Sequence, residues 1–134
     1  MVRILIVDDH AVIRRSLRLL LAQRADWEVC GEAIDGLDAI QQAGQLLPDV
    51  ILLDISLPHL TGLEAAMQIR KNAPGVRIVI VSQHDPVQME SRALDVGAHA
   101  YVTKLNLSRD LLPAIDAVLR QKRVNTPAGL GPIF

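Results

Sequence analysis

The feature that most constrains this chain is an alternation between short apolar runs and segments of helical periodicity. Residues 4–7 are uninterruptedly apolar, which predicts a strand buried on both faces. Ile13, Leu17, Leu20 and Leu21 then recur at i, i+4, i+7 and i+8, the stripe of an amphipathic helix. Trp27–Ala33 reads as a second strand. Leu37, Ile40, Ala43 and Leu47 mark the next helix, which Pro48 ends. Val50–Leu53 is a third strand that stops at Asp54, and residues 56–62 form a loop. Leu63, Ala66, Met67 and Arg70 then share a helix face that residues 72–75 break. Residues 76–81 are strongly strand-prone and reach Ser82. Pro86 opens a helix faced by Met89, Ala93 and Val96, with Gly97 as its C-cap. Ala100–Thr103 is a fifth strand leading to Lys104. Leu111, Ile115 and Val118 define a last helix, with Ser108 as its expected N-cap and Asp110 in its first turn. Pro113 lies further into that helix than such a cap tolerates well.

Apolar strands separated by helices predict an α/β fold with a parallel sheet covered on both faces. Right-handed crossovers restrict it to a few doubly wound forms. A chain of 134 residues, half of them hydrophobic, fits one domain with a real core. The pattern stops near Lys122, so residues 1–121 are expected to be the domain and 122–134 a tail or a cut linker.

Ligands in such sheets bind beyond the carboxyl ends of the strands. The first strand ends in Asp8 and Asp9, the third in Asp54, the fourth in Ser82, and the fifth runs into Lys104. Three carboxylates, a hydroxyl and an ammonium therefore converge on one edge. At an effective dielectric of ~20, two carboxylates about 4 Å apart repel by on the order of 4 kcal/mol. Lys104 and a divalent cation would relieve that repulsion. All-oxygen ligands suit Mg²⁺ or Mn²⁺. An aspartate is also a competent nucleophile toward phosphorus.

Composition removes other classes. A formal net charge of −1 gives no overall pull toward nucleic acid or acidic membranes. Three aromatic residues are too few for a base-stacking surface. Cys30 is the single cysteine, which excludes an internal disulfide and a cysteine-rich zinc site; it is expected to be a small core residue. No apolar run reaches membrane-spanning length. The N-terminus, stopping at Asp8-Asp9, does not read as a signal peptide, so a cytoplasmic location is expected. Neither a dinucleotide nor a P-loop glycine motif follows any strand.

The residues 4–9, 50–54 with Pro58 and Gly62, 79–82, and 97–104 together resemble the receiver domain of bacterial two-component response regulators. The likeness covers roughly residues 2–121. Residues 57–65 and 82–85 look most like the NarL/FixJ-type subfamily, whose members usually carry a C-terminal helix-turn-helix domain. The resemblance implies a flavodoxin-like (βα)₅ fold with strand order 2-1-3-4-5. It implies a signalling domain that accepts a phosphoryl group on Asp54 from a sensor histidine kinase, with no enzymatic role beyond handling that group. By the same resemblance, Mg²⁺ (or Mn²⁺) is held by Asp8, Asp9, Asp54 and the backbone carbonyl of Ser56. Lys104 pairs with the phosphate, Ser82 is the switch hydroxyl and Tyr101 the switch aromatic. The first helix and the loop after Lys104 meet the kinase, making Val12, Ile13, Ser16, Leu19 and Leu20 the positions of interest. Homodimerisation is one implied output. DNA would be contacted only through a domain absent from this chain, and none of the final residues reads as one.

Two features qualify the match. Gln83 stands where many family members have a small residue, and its length is expected to narrow access to Asp54. Arg14, Arg15, Arg18 and Arg24 gather on the first helix, where a solvated face is favoured over DNA contact. A haloacid-dehalogenase-like phosphatase would need a second aspartate at position 56, where the chain has Ser56. A stand-alone receiver, or a receiver-like module that works without phosphorylation, is the remaining alternative.

Overall fold

A computed structural model describes residues 1–57, 60–84 and 86–121. The expected loop residues Pro58 and His59, the matched Asp85, the expected core side chain of Met89 and the 122–134 tail lie outside what it describes. Five strands, β1 (Val2–Val7), β2 (Trp27–Ala33), β3 (Val50–Leu53), β4 (Arg77–Ser82) and β5 (Ala100–Thr103), alternate with five helices. These are α1 (Ala11–Leu21), α2 (Gly36–Leu46), α3 (Gly62–Asn72), α4 (Pro86–Asp95) and α5 (Leu107–Arg120). All strand pairs are parallel, in the order β2-β1-β3-β4-β5. The expected flavodoxin-like doubly wound sheet is therefore present, and its order reverses between β1 and β3.

Alternation along each strand sorts the core into two layers. Ile4, Ile6, Leu52 and Val79 face Leu17 and Leu21 of α1 and Leu111, Ile115 and Val118 of α5. Leu5, Val7, Ile51, Leu53, Ile78 and Ile80 face the other way, against Ala39, Ala43, Ala65, Ala66, Ile69 and Ala93 of α2, α3 and α4. Alanines on that face let three helices sit close to the sheet. Register then sets the site. Val7 pairs with Leu53 and Leu53 with Ile80, so the residues after β1 and β3 emerge at one level. The Asp54 N–H donates to the Val7 carbonyl at 3.0 Å and the Asp8 N–H to the Ala33 carbonyl at 3.1 Å. Among the described residues no helix is long and apolar enough to cross a membrane.

Several local expectations are corrected. Leu37 and Leu47 are exposed; α2 packs through Ala39 and Ala43, and Leu47 has already turned into the left-handed region at φ 47° as the C-cap. Met67 is exposed and Ile69 takes its place in the core. Ser108 does not cap α5. A 3-10 turn over Lys104–Asn106 delivers the chain into the helix at Leu107, so Asn106 is the N-cap and Ser108 lies in the first turn. Pro113 sits inside that helix. Cys30 is half-buried rather than a core residue. It is the extra residue of a bulge, since Ile4 pairs with Val29 and Leu5 with Gly31. Gly97 does cap α4, at φ 93°, a conformation side chains resist. Its N–H donates to Leu94 O and the Ala98 N–H to Ala93 O, the pair of bonds that closes a helix end.

Gly62 opens α3 where the chain folds back on β3. A Cβ there would lie 2.0 Å from the Asp54 carbonyl oxygen and 2.6 Å from the Ile55 Cα. Gly62→Ala is expected to cost about 2 kcal/mol or more, whereas Gly44→Ala, in an open helical position, should add about 0.5–1 kcal/mol. Urea titration of both variants checks the contrast. His99 accepts a hydrogen bond at Nδ1 from Ile78 N–H at 3.0 Å, and burial with Arg70 and Arg77 nearby holds its pKa down to about 4. The folded state therefore takes up this proton less readily than the unfolded chain does. Stability should be complete above about pH 6.5 and fall between there and about pH 4, by at most about 3 kcal/mol. His99→Asn, which keeps an acceptor that does not titrate, should flatten that part of the pH–stability curve.

Candidate functional site

The loops after β1, β3, β4 and β5 bring the expected residues to one edge. Asp8 is 1% exposed, Asp54 2% and Ser82 fully buried, while Asp9 stands at the rim. The Lys104 Nζ lies 2.8 Å from Asp8 Oδ2 and 3.4 Å from Asp54 Oδ2, making one cation the bridge between two buried carboxylates. Asp54 Oδ1 accepts the Ser56 N–H at 3.0 Å. Asp8 Oδ1 accepts the His10 N–H at 2.8 Å. Arg14 donates to the Asp8 carbonyl at 2.8 Å and pairs with Glu32 at 2.7 Å, pinning the backbone of the acidic pair.

The two ends of the Lys104–Asp54 pair respond differently. Burial pushes the Asp54 carboxyl above its usual range, Asp8 adds to this, and the Ser56 amide and Lys104 only partly offset it. Burial works against the Lys104 ammonium, but Asp8 and Asp54 outweigh it and raise its pKa. The cluster thus carries more negative charge than its single cation balances. Ligand atoms of Asp8, Asp9, His10 and Asp54 all lie within 4.8 Å of one another. Asp8 Oδ2 is buried, with the Lys104 ammonium 2.8 Å away as its one partner among the described residues. A small, hard divalent cation fits this donor set.

Around the mouth, the Ser82 Oγ accepts the His84 N–H at 3.1 Å, and the Tyr101 hydroxyl donates to the His84 carbonyl at 3.0 Å. The Ser56 Oγ and His84 Nε2 meet at 3.0 Å. Ser82 and Tyr101 are therefore tied to the same loop, and Gln83 points to solvent. The Ser56–His84 contact joins the loops after β3 and β4. Sequence reasoning assigned no role to His10 or His84. The signal available was proximity: one follows the acidic pair directly and the other lies two residues beyond Ser82.

On α1, Arg14 and Arg18 pair with Glu32; Arg24, expected on that helix, lies beyond its end at Leu21, where it grips Asp116 with both terminal nitrogens and stacks 4.7 Å over Trp27. Burial opposes ionisation of Glu32, yet the two guanidiniums hold its carboxyl below the usual range. Three of the four arginines are thus engaged within the chain. Val12 and Leu19 are exposed on the same helix, and Leu105 is 89% exposed beside them. Ser16, Leu19, Leu20, Leu105 and Leu107 line a shallow depression next to Lys104.

Opposite signs are expected from the two charged partners. Asp54→Asn removes a carboxylate whose ionised form burial disfavours and should stabilise the fold. Lys104→Met leaves buried carboxylates without their cation and should cost about 3 kcal/mol. In the double variant the loss should be smaller than the sum, a coupling that a double-mutant cycle in urea measures.

Known proteins share both the pattern and its frame. A family model described as the response regulator receiver domain matches residues 4–116. The response regulator protein VraR of Staphylococcus aureus is 32% identical over 126 residues, covering 94% of this chain and 60% of VraR. The chain thus spans about 60% of the length of such curated relatives. A LuxR-family two-component response regulator from Aurantimonas sp. SI85-9A1 superposes with a TM-score of 0.83 at 35% identity, covering 87% of this chain and 84% of that one. The response regulator domain of Thermotoga maritima CheB superposes at 0.80 and 34% identity, covering 95% and 99%. With the NarL/FixJ-type likeness, the doubly wound sheet and the acidic edge in agreement, the chain belongs to the receiver domain family of two-component response regulators.

Proposed function

We propose that this receiver accepts a phosphoryl group on Asp54 from the phosphohistidine of a sensor histidine kinase. A carboxylate oxygen of Asp54 attacks phosphorus, the P–O bond forms as the P–N bond breaks, and the imidazole leaves with the electron pair. The observation that carries this reading is Lys104, whose ammonium reaches both Asp8 and Asp54. Such a cation compensates the carboxylates at rest and is in reach of the oxygens of an acyl phosphate. Asp8, Asp9, Asp54 and the Ser56 carbonyl would hold Mg²⁺ (or Mn²⁺), supplying charge neutralisation for the transferring group. Catalysis is confined to this self-phosphorylation and the hydrolysis that reverses it.

Ser82 and Tyr101 serve as the switch in this reading. Both are hydrogen-bonded to His84, so a Ser82 hydroxyl drawn toward phosphate would release one tie of that loop. The exposed apolar surface of Val12, Leu19 and Leu105 is the kinase dock. Output passes to a DNA-binding domain outside this chain, through pairing of receivers, and controls transcription in the cytoplasm. In this reading residues 1–121 form the receiver unit and 122–134 a tail or a linker.

Intact mass after incubation with Mg²⁺ and a small phosphodonor tests the reading. One added phosphoryl group is expected on the parent and none on Asp54→Asn. No gain even with a kinase present would return the chain to the class of unphosphorylated interaction modules. Leu105→Asp should slow transfer from a kinase at least about tenfold while leaving small-donor labelling unchanged. For Gln83→Ala, exposed as Gln83 is, both labelling and loss of label should quicken if the side chain screens Asp54; unchanged rates would sink that idea.

A further inference from the structure

The imidazole of His10 has no role in the reading above, yet it faces the acidic pair. His10 is the N-cap residue of α1, but its side chain makes no capping hydrogen bond. Instead its Nδ1 lies 3.1 Å from Asp8 Oδ1 and 3.1 Å from Asp9 Oδ1. Adjacent ligands of an octahedral ion with bonds of about 2.1–2.2 Å are separated by about 3.0–3.1 Å. The nitrogen therefore stands at a ligand's distance from two oxygens that would share an ion with it. The site behind it holds the buried Asp8 Oδ2, whose partner among the described residues is the Lys104 ammonium at 2.8 Å. The Arg14 clamp on the Asp8 carbonyl fixes the turn that presents all three groups.

We infer that His10 is a nitrogen ligand of the divalent-cation site and biases it toward borderline transition ions. This rests on the cation reading of the Asp8–Asp9–Asp54 cluster. Imidazole adds affinity for Co²⁺, Ni²⁺ and Zn²⁺ far more than for Mg²⁺, which prefers oxygen and keeps its waters. With oxygen donors alone, the site would favour transition ions only by their general order of affinity. With His10 the ratio of Ni²⁺ to Mg²⁺ affinity carries a component that belongs to one side chain. The competing role is that the His10 ring Nδ1–H merely bridges Asp8 and Asp9, occupying the space an ion would take. The two roles predict opposite signs when His10 is removed.

Calorimetric titration of the untagged chain with NiCl₂ and separately with MgCl₂, at one neutral pH, tests this on the parent, His10→Ala and His10→Gln. Loss of Ni²⁺ affinity by at least about tenfold in both variants, with Mg²⁺ affinity held within about twofold, is expected. A second readout is direct. The Mn²⁺-loaded parent should show ¹⁴N coupling in its electron spin-echo modulation, and His10→Ala should lose it. Unchanged or tighter Ni²⁺ binding, or ¹⁴N coupling that persists in His10→Ala, would overturn the inference while leaving the oxygen-ligand site intact. Absence of any divalent binding by the parent, with Asp9→Asn no different, would instead remove the cation reading itself.

Discussion

A half-buried ammonium between two buried carboxylates is the contact on which the rest of the site depends. Without Lys104, Asp8 and Asp54 would face each other across a dry gap, a repulsion of several kcal/mol. With it, one cation reaches two acids and still leaves net negative charge. That imbalance is the physical basis of the chemistry. Burial, with Asp8 adding to it, raises the Asp54 carboxyl, Asp8 and Asp54 together strengthen the hold on Lys104, and the net negative charge leaves a receptive place for a divalent cation. A site balanced by its own side chains would have no such demand.

The demand is tolerated because the frame around it is stiff. Parallel pairing of β1, β3 and β4 in fixed register delivers Asp8 and Asp54 at one level, and two apolar layers clamp that register from both faces. A slip of one residue would exchange the two layers and bury the polar strand ends. The alanines on the α2–α3–α4 face and the close approach of Gly62 to the Asp54 carbonyl bring the loop after β3 down onto the site. Stability invested in the sheet thus holds charges in an arrangement they would not choose.

Residues following the strands were legible because each apolar run ends abruptly at a polar side chain, which marks where the chain leaves the core. Asp8, Asp9, Asp54, Ser82 and Lys104 were found this way. Helix faces were read less well. Leu37, Leu47 and Met67 looked like core by hydrophobicity, but they are exposed, and Ala39, Ala43, Ala65, Ala66 and Ile69 make the contact with the sheet. Ser108 looked like a cap, but the 3-10 turn at Lys104 starts the helix sooner. His10 and His84 gave no periodic signal at all; what singles them out is contact, of the His10 ring with Asp8 and Asp9 and of His84 with Ser56.

The sequence by itself determined the parallel α/β class, the register-ready strands and the set of groups at their carboxyl ends. These follow from local pattern, since burial on two faces demands apolar runs and exit from the core demands polar ends. Only the tertiary structure decided which charges touch. Lys104 stands 50 residues from Asp54 and meets it at 3.4 Å, and the strength of that meeting depends on burial and distance, neither of which is written in the order of residues.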